Sequence, residues 1–321
     1  MQNCAGTDVA SLGPAWNFAQ VAAAIDAVEP DLIIHVGDYH YRESGTCGAR
    51  CDQGTVGYTW ASWKADFFEP AKALLPEAPW VFIRGNHEDC GTDTTSARAW
   101  KGWFYFLDPQ ALPDDPWTWQ NCQAYTDPYR VPAGQQSILV MDTSEIPDDY
   151  AATPDAATVT RYAQEFTVMD GLTNAQTPAW LSTHRPFWAV ASFLNNGAPA
   201  IAFTDLTLQA ALNASADRRL PASIDLLIAG HVHQFEKLTF TDGRPPQLVF
   251  GGGATMLDPV ITDALLDANP SVLQELGVNR QDFTSIHSID FGVIAPTGDG
   301  WTITIKNADG QDETTFTVSN N

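Results

Sequence analysis

The sequence predicts an α/β fold, a four-layer α/β/β/α sandwich of two mixed sheets flanked by helices. Short, branched apolar runs such as residues 32–36 and 224–229 stop at a glycine, which is typical of strands buried on both faces. Helical patterns lie between these runs. From about residue 238 the chain alternates apolar and polar residues with hairpin turns, which predicts a second, more antiparallel sheet packed on the first.

Length and charge limit the possible classes. The 321 residues contain no linker rich in Pro, Ser or Gly, so we expect a single domain over residues 1–321. No apolar run approaches the ~20 residues of a membrane span, which predicts a soluble protein with no membrane partner. The net charge of −23 repels polyphosphate backbones and argues against nucleic acid as a partner.

The cysteines indicate an exported protein, periplasmic or extracellular. Cys47 and Cys51 share one loop, and Cys90 and Cys122 flank an aromatic segment. Both pairs are plausible disulfides; a zinc site is the alternative, but no second close cysteine pair or suitably spaced histidine accompanies them. Cys4 is left over, and the first residues lack the pattern of a signal peptide.

The N-terminal half alternates helices with strands. A helix over residues 15–28 precedes the strand at 32–36. Thr59 is a good N-cap for a helix to about residue 75, and a strand over 80–83 follows. The aromatic segment 89–125 is interpreted as a satellite core. The order helix then strand is the second half of a β–α–β unit, and the strand expected before residue 13 is missing.

The rest of the chain supplies the remaining strands. We expect strands at 125–131 and 137–141, a helix around 159–169, a strand at 179–183, and a helix capped by Thr204 that ends near 212. After the strand at 224–229, the predicted strands are 238–241, 247–250, 286–295, 301–306 and 314–318.

Polar side chains follow four of the predicted buried strands. Each alone is weak evidence, since such residues are usually helix caps, turns or sheet surface. Together, at strand ends, they offer carboxylate, amide and imidazole ligands, which suit iron, manganese, zinc or cobalt better than calcium. The motifs are Gly37-Asp38 with Tyr41, Gly85-Asn86-His87-Glu88, His184-Arg185-Pro186 and Gly230-His231-Val232-His233.

This series of motifs resembles the calcineurin-like metallophosphoesterase superfamily over roughly residues 15–255, and Tyr41 brings it closest to the purple acid phosphatases. The resemblance implies two transition metals bridged by Asp38. Asn86, His184 and His231 would complete one site, while Tyr41 and His233 would belong to the other, where a phenolate favours ferric iron. On a regular strand His231 and His233 would share a face.

The reaction implied by the resemblance is hydrolysis of a small phosphorylated substrate, a phosphomonoester, by a metal-activated hydroxide. His87, the candidate catalytic residue, would protonate the leaving oxygen or hold the phosphoryl group, and Glu88 would orient a neighbouring histidine. Arg42, Arg84 and Arg185 would contact phosphate or form ion pairs, and His35 is expected in the core. The alternatives are a phosphodiesterase on the same scaffold and a catalytically impaired protein that binds metal or phosphate.

The sequence departs from the family at its first motif, a strand that ends in Asp-x-His or Gly-Asp-x-Gly. Asp8 follows nothing apolar, and Asp299 lies in a predicted hairpin turn. The missing strand, the missing carboxylate and the unpaired Cys4 together suggest a chain that lacks its first strand. We therefore expect the Tyr41/His233 site to be incomplete and weakly occupied.

Overall fold

A computed structural model describes residues 17–41, 57–91, 99–109, 115, 121–147, 153–173, 177–203, 205–298 and 300–319. Its architecture is the predicted one, an α/β sandwich in which two β layers lie between helices. Along the chain the elements are α1 Phe18–Asp26, β1 Ile33–His35, α2 Trp60–Trp63, β2 Trp80–Phe82, α3 Trp100–Phe106, β3 Tyr129–Ala133, β4 Gln136–Val140, α4 Ala156–Leu172, β5 Ala179–Ser182, β6 Val190–Asn195, β7 Ala198–Phe203, α5 Leu206–Ala214, β8 Ile224–Ala229, β9 Phe235–Leu238, β10 Gln247–Phe250, α6 Asp263–Ala268, α7 Pro270–Leu276, β11 Phe283–Ile286, β12 Asp290–Thr297, β13 Gly300–Asn307 and β14 Asp312–Ser319.

The first β layer is a mixed sheet of seven strands in the order β11-β9-β10-β8-β5-β4-β3. Its centre, β10-β8-β5-β4, is parallel, so the carboxyl ends of β5 and β8 reach the same edge. Apolar side chains of α4 and α5, among them Phe166 and Leu208, cover its outer face. The apolar runs of β4, β5 and β8 are buried throughout, as expected for strands covered on both sides.

The second β layer is divided, which differs from the expectation of one mixed sheet. The parallel pair β1–β2 and the antiparallel sheet β12-β13-β14 are separate, and an open space between β1 and β12 accounts for the break. Ile83 and Ile305 of this layer pack against Leu226 and Ile228 of the large sheet. The outer helices α1, α2 and α3 cover the other side with Phe18, Trp63 and Trp103 and complete the four layers.

Several predicted boundaries are wrong for identifiable reasons. Thr59 caps α2 as expected, but the helix changes to a π-helical turn at Lys64–Phe68 and does not continue regularly to residue 75. The strand expected at 238–241 is β9, which begins and ends three residues earlier. It was misplaced because the buried Glu236 makes this part of the sequence look polar. The strand expected at 286–295 is two strands, β11 and β12, in different sheets. Thr204 lies outside the described residues.

No helix in the described part of the chain is long and apolar enough to cross a membrane. Of the cysteine predictions, the Cys90–Cys122 disulfide is present. Cys4, Cys47 and Cys51, together with Asp8 and Asp299, lie outside the described residues.

Candidate metal centre

The site begins with the turn that follows β1. Gly37 and Asp38 both have left-handed backbone torsions, with φ of 105° and 58°. A side chain at Gly37 would collide with the ring of His184, so glycine is needed here. The turn directs the buried Asp38 carboxylate inward, where Oδ1 accepts from the backbone N–H of His87 over 3.1 Å and Oδ2 accepts from the Tyr41 hydroxyl over 2.9 Å.

The carboxylate of Glu88 fixes this turn by accepting hydrogen bonds from its backbone. Its side chain is fully buried, Oε2 accepts from the backbone N–H groups of Asp38 and Gly85, and Oε1 accepts from those of Tyr39 and His40. We expected Glu88 to orient a histidine ring. Its hydrogen-bond partners are instead backbone amides, so its role is to fix the loop that carries Asp38.

Three strand ends converge on the amide oxygen of Asn86, as predicted from the order of the motifs. Oδ1 of Asn86 lies 2.8 Å from Nε2 of His184 and 3.0 Å from Nδ1 of His231. Nε2 of His184 is also 3.4 Å from Oδ1 of Asp38. On the far side of the His184 ring, Nδ1 is 2.7 Å from the carbonyl oxygen of Val36, which accepts a hydrogen bond from Nδ1–H and leaves Nε2 free as a ligand.

The strand β8 ends at Ala229 as predicted, and His231 and His233 lie in the irregular segment after it, not on a regular strand on which they would share a face. His231 has φ of 70° and its Nε2 lies 2.7 Å from Nη1 of Arg185. His233 has a different partner, Asp258. Its backbone N–H donates to Oδ2 of Asp258 over 2.9 Å, and its Nδ1 is 3.9 Å from Oδ1 of the same carboxylate.

Tyr41 and His87 form the more open side of the site. Their ring centroids are 4.0 Å apart, whereas Tyr41 and His233 are 6.5 Å apart. Tyr41 and His233 both line a small pocket of about 30 Å³ with Asp38, His184 and His231. The ligands predicted for the second metal therefore border the same pocket, with the Tyr41 hydroxyl engaged by Asp38.

Electrostatics favour the ligand forms of Asp38 and His184 but not that of Tyr41. Burial alone would raise the pKa of Asp38, but the neighbouring His184, His87 and His231 lower it well below its usual value. Burial lowers the pKa of His184 despite the attraction of Asp38, which favours a neutral imidazole. Burial and the nearby Asp38 charge raise the pKa of Tyr41, so the phenol keeps its proton in the absence of a metal.

These donors fit a transition metal. One ligand atom from each of Asp38, His184 and His231 lies within 4.8 Å of the others, and Oδ1 of Asn86 lies between the two imidazoles. Two imidazole nitrogens with two oxygens suit iron, manganese or zinc, while calcium prefers a shell of oxygens. Four predicted ligands thus meet at one point.

Arg84 and Arg185 have different environments. Arg84 is 1% exposed and forms ion pairs with Asp142 at 3.2 Å and Glu145 at 3.4 Å, so it takes the core ion-pair role and does not contact phosphate. Its Nε donates to the carbonyl oxygen of Glu88 over 2.9 Å, which supports the Asn86–Glu88 turn from behind. Arg185 lies at the site, and Arg42 lies outside the described residues. His35 is buried, as expected.

Sequence reasoning missed three groups that support the site. The carbonyl of Val36 carries no sequence signal, because every residue has one. Asp258, the partner of His233, lies in an irregular segment without a motif. Asp142, by contrast, lies two residues after the end of β4 and could have been found as another carboxylate near a strand end.

Comparisons with known proteins identify the family of the chain. No curated protein matches the chain. Among solved structures, the chain is similar to one described as GAP50, the anchor in the inner membrane complex of Plasmodium, with 13% identity and a TM-score of 0.49 over 95% of this chain and 83% of that one. The model of the calcineurin-like phosphoesterase family matches residues 7–235. Since this match spans more than half of the sequence, the chain belongs to the calcineurin-like phosphoesterase family.

Proposed function

We propose that this chain is a metal-dependent phosphomonoesterase, similar in its ligand set to the purple acid phosphatases. The observation that carries the proposal is the convergence of Asp38, Asn86, His184 and His231 on one point, with the His184 ring fixed by Val36. A structural cluster would not need an imidazole held with its free nitrogen toward a carboxylate and an amide oxygen.

Iron, manganese or zinc would be held by Asp38, Asn86, His184 and His231, with Tyr41 and His233 contributing to a second, less complete site. When bound, such metals activate water and neutralise charge on the phosphoryl oxygens. Asp38 and the Tyr41 hydroxyl are joined by a 2.9 Å hydrogen bond. Tyr41 must therefore give up that bond to become a ligand, which supports weaker occupancy of the second site.

Arg185 supports a monoester over a diester. A monoester carries nearly two negative charges, so an additional cation at the site stabilises it more than it stabilises a diester. Arg185 places Nη1 within 2.7 Å of Nε2 of His231, at the border of the ligand set. Net repulsion from a surface of charge −23 favours a small substrate over a nucleic acid.

His87 would donate the proton to the leaving oxygen. Its backbone N–H is fixed on Asp38 and its ring is half-buried against Tyr41, so the imidazole borders the site and retains contact with solvent. General acid catalysis of this kind contributes about 10²–10⁴-fold, and more when the leaving group is a poor one.

The experiment is reconstitution of chelator-treated protein with iron, manganese or zinc, followed by steady-state rates on p-nitrophenyl phosphate and on bis(p-nitrophenyl) phosphate. The proposal predicts a higher kcat/KM on the monoester. A higher value on the bis ester would indicate a phosphodiesterase. No rate with any metal, together with measurable metal binding, would indicate a binding protein and overturn the enzymatic proposal.

A second measurement isolates His87. His87→Asn should lower the rate on glycerol 2-phosphate, whose alkoxide leaves poorly, by roughly 10²-fold, and should change the rate on p-nitrophenyl phosphate much less. The ratio of the two rates in the wild-type protein is the reference. Equal losses on both substrates would show that His87 acts by binding or folding and not as a proton donor.

We also propose that the protein is exported. The Cys90–Cys122 disulfide supports this, because disulfides persist in oxidising compartments. Thiol titration of the denatured protein purified from its native source tests the proposal, and full reactivity of Cys90 and Cys122 would contradict it.

A further inference from the structure

The space that divides the second β layer is a slot of about 800 Å³. Residues 31–36, which include β1, form one side, and residues 290–296 of β12 form the other. Apolar side chains of α1, among them Val21 and Ile25, cover one face. Trp180 and Ile228 of the large sheet cover the opposite face.

The two long sides of the slot are strand edges. Among the described strands, β1 pairs with β2 and β12 pairs with β13, each on one edge. The backbone groups of Ile33 and His35 bond to Pro79 and Ile83 on the β2 side. Because alternate residues of a strand direct their N–H and C=O groups to opposite edges, those of Ile34 face the slot. Such edges are templates for another strand.

Orphaned polar atoms surround the same space. The buried side-chain atoms without a hydrogen-bond partner among the described residues include five that belong to slot-lining residues. Each destabilises the folded chain if it stays unpaired. A molecule that fills the slot must therefore supply hydrogen-bonding groups as well as apolar volume. The five atoms are His35 Nε2, Trp80 Nε1, Trp180 Nε1, Trp301 Nε1 and Asp290 Oδ1.

From these observations we propose that the slot binds an extended polypeptide strand of about six residues, apolar on both faces and parallel to β1. A strand matches the length of the run 31–36 and supplies an N–H and a C=O at every residue for both edges. It is apolar on both faces because helix α1 covers one side and the large sheet the other. An acyl chain would match the apolar walls of the slot, but it would leave the backbone N–H and C=O groups of the two strand edges unpaired.

The direction follows from α1. This helix immediately precedes β1 and covers one face of the slot, so a strand bound parallel to β1 would have the same relation to α1 and β1 as the first strand of a β–α–β unit. Val36, Phe250 and Gly253 line both the slot and the small pocket of the candidate metal centre. The carboxyl end of the bound strand thus lies beside that pocket, although strand binding itself does not depend on catalysis.

The test attaches a strand to the full chain. A cassette of alternating Val and Ile, about six residues long, is fused ahead of Met1 through a flexible Gly/Ser linker of about 12 residues, which keeps its effective concentration high. We expect the melting temperature to rise by roughly 5 °C or more. Amides in 31–36 and 290–296 should exchange at least about 10-fold more slowly with deuterium.

Three controls keep the test decisive. A cassette of Ser and Asn lacks apolar side chains and so tests whether apolar character is needed. A cassette of alternating Val and Pro stays apolar but lacks half of the backbone N–H donors. Ile294→Trp partly fills the slot from β12, so the Val/Ile cassette should stabilise that variant less. The proposal is overturned if the Val/Ile cassette protects neither edge, if the Val/Pro cassette stabilises equally, or if decanoic acid raises the melting temperature and the cassette does not.

Discussion

The backbone N–H of Asp38 donates to Oε2 of Glu88 over 3.1 Å, which fastens the end of β1 to the turn after β2. In Glu88→Gln, an amide –NH₂ would replace one of two oxygens that each accept two backbone N–H groups. Two backbone N–H groups would then face the –NH₂ group of Gln, which cannot accept a hydrogen bond from them. We expect a loss of about 2–4 kcal/mol in the free energy of unfolding, measured by urea denaturation.

The matched control for this change is Glu275→Gln on the exposed face of α7, which should alter the free energy of unfolding by less than about 0.5 kcal/mol. If Glu88→Gln were equally neutral, the four backbone contacts would not hold the loop.

Asn86 joins the two imidazoles of the proposed metal site. Asn86→Ala removes the oxygen that lies within 3.0 Å of both rings and should weaken binding of manganese or zinc at least about 10–100-fold, measured by calorimetric titration. Asn195→Ala in the exposed β6–β7 hairpin should leave the affinity unchanged. Unchanged affinity in Asn86→Ala would remove Asn86 from the ligand set.

The Cys90–Cys122 disulfide closes a segment with a sequence separation of 32. Restricting the unfolded chain over a loop of this length is worth about 3–4 kcal/mol. The double variant Cys90→Ser/Cys122→Ser should lose about that amount in urea denaturation, and reductant should lower the stability of the wild type more than that of the variant. Equal midpoints for the two proteins would contradict the assigned contribution.

The clustering of the candidate ligands was predictable because each follows an apolar run that ends abruptly, and the ends of parallel strands share one edge of a sheet. The groups that hold these side chains were not predictable. Val36 contributes only its backbone carbonyl and Glu88 bonds to backbone amides, and backbone groups carry no sequence signal. The order of the motifs therefore located the site, and long-range backbone contacts determined how each side chain is held.

Elements distant from the site were predicted less well. The hairpin β6–β7 was missed although Asn196 and Gly197, both with positive φ, form an Asn-Gly turn, which is a strong hairpin signal. β9 was misplaced because Glu236 lies fully buried within it, and burial of a carboxyl group cannot be inferred from alternation alone. In the hairpin the local signal was present and was overlooked, whereas in β9 a tertiary effect, the burial of Glu236, outweighed the local pattern.

Arg84 is a buried cation between two carboxylates. Arg84→Met would leave Asp142 and Glu145 without their ion pairs at 3.2 and 3.4 Å and would remove the bond to the carbonyl of Glu88. We expect a loss of about 3–5 kcal/mol in the free energy of unfolding. Arg280→Met, whose ion pair with Asp263 is exposed, should cost less than about 1 kcal/mol. Similar losses in the two variants would argue against a special role for Arg84.

Glu236 makes stability depend on pH. Burial, with a smaller contribution from the charge of Asp258, raises its pKa to about 8, although hydrogen bonds from the backbone N–H of Val190 and from Gln234 oppose this. A carboxyl group with a raised pKa binds its proton more tightly in the folded state. Its contribution is fully present below the unfolded value near 4.5 and is lost as the pH rises toward 8.

Between pH 5 and pH 8 this loss amounts to about 3 kcal/mol. Glu236→Gln carries no titrating proton and keeps an oxygen acceptor, so its free energy of unfolding should fall by that much less over the same interval. Urea denaturation of both proteins at pH 5, 6.5 and 8 measures the difference. Because other groups titrate equally in both proteins, parallel pH profiles would show that Glu236 ionises normally in the folded state.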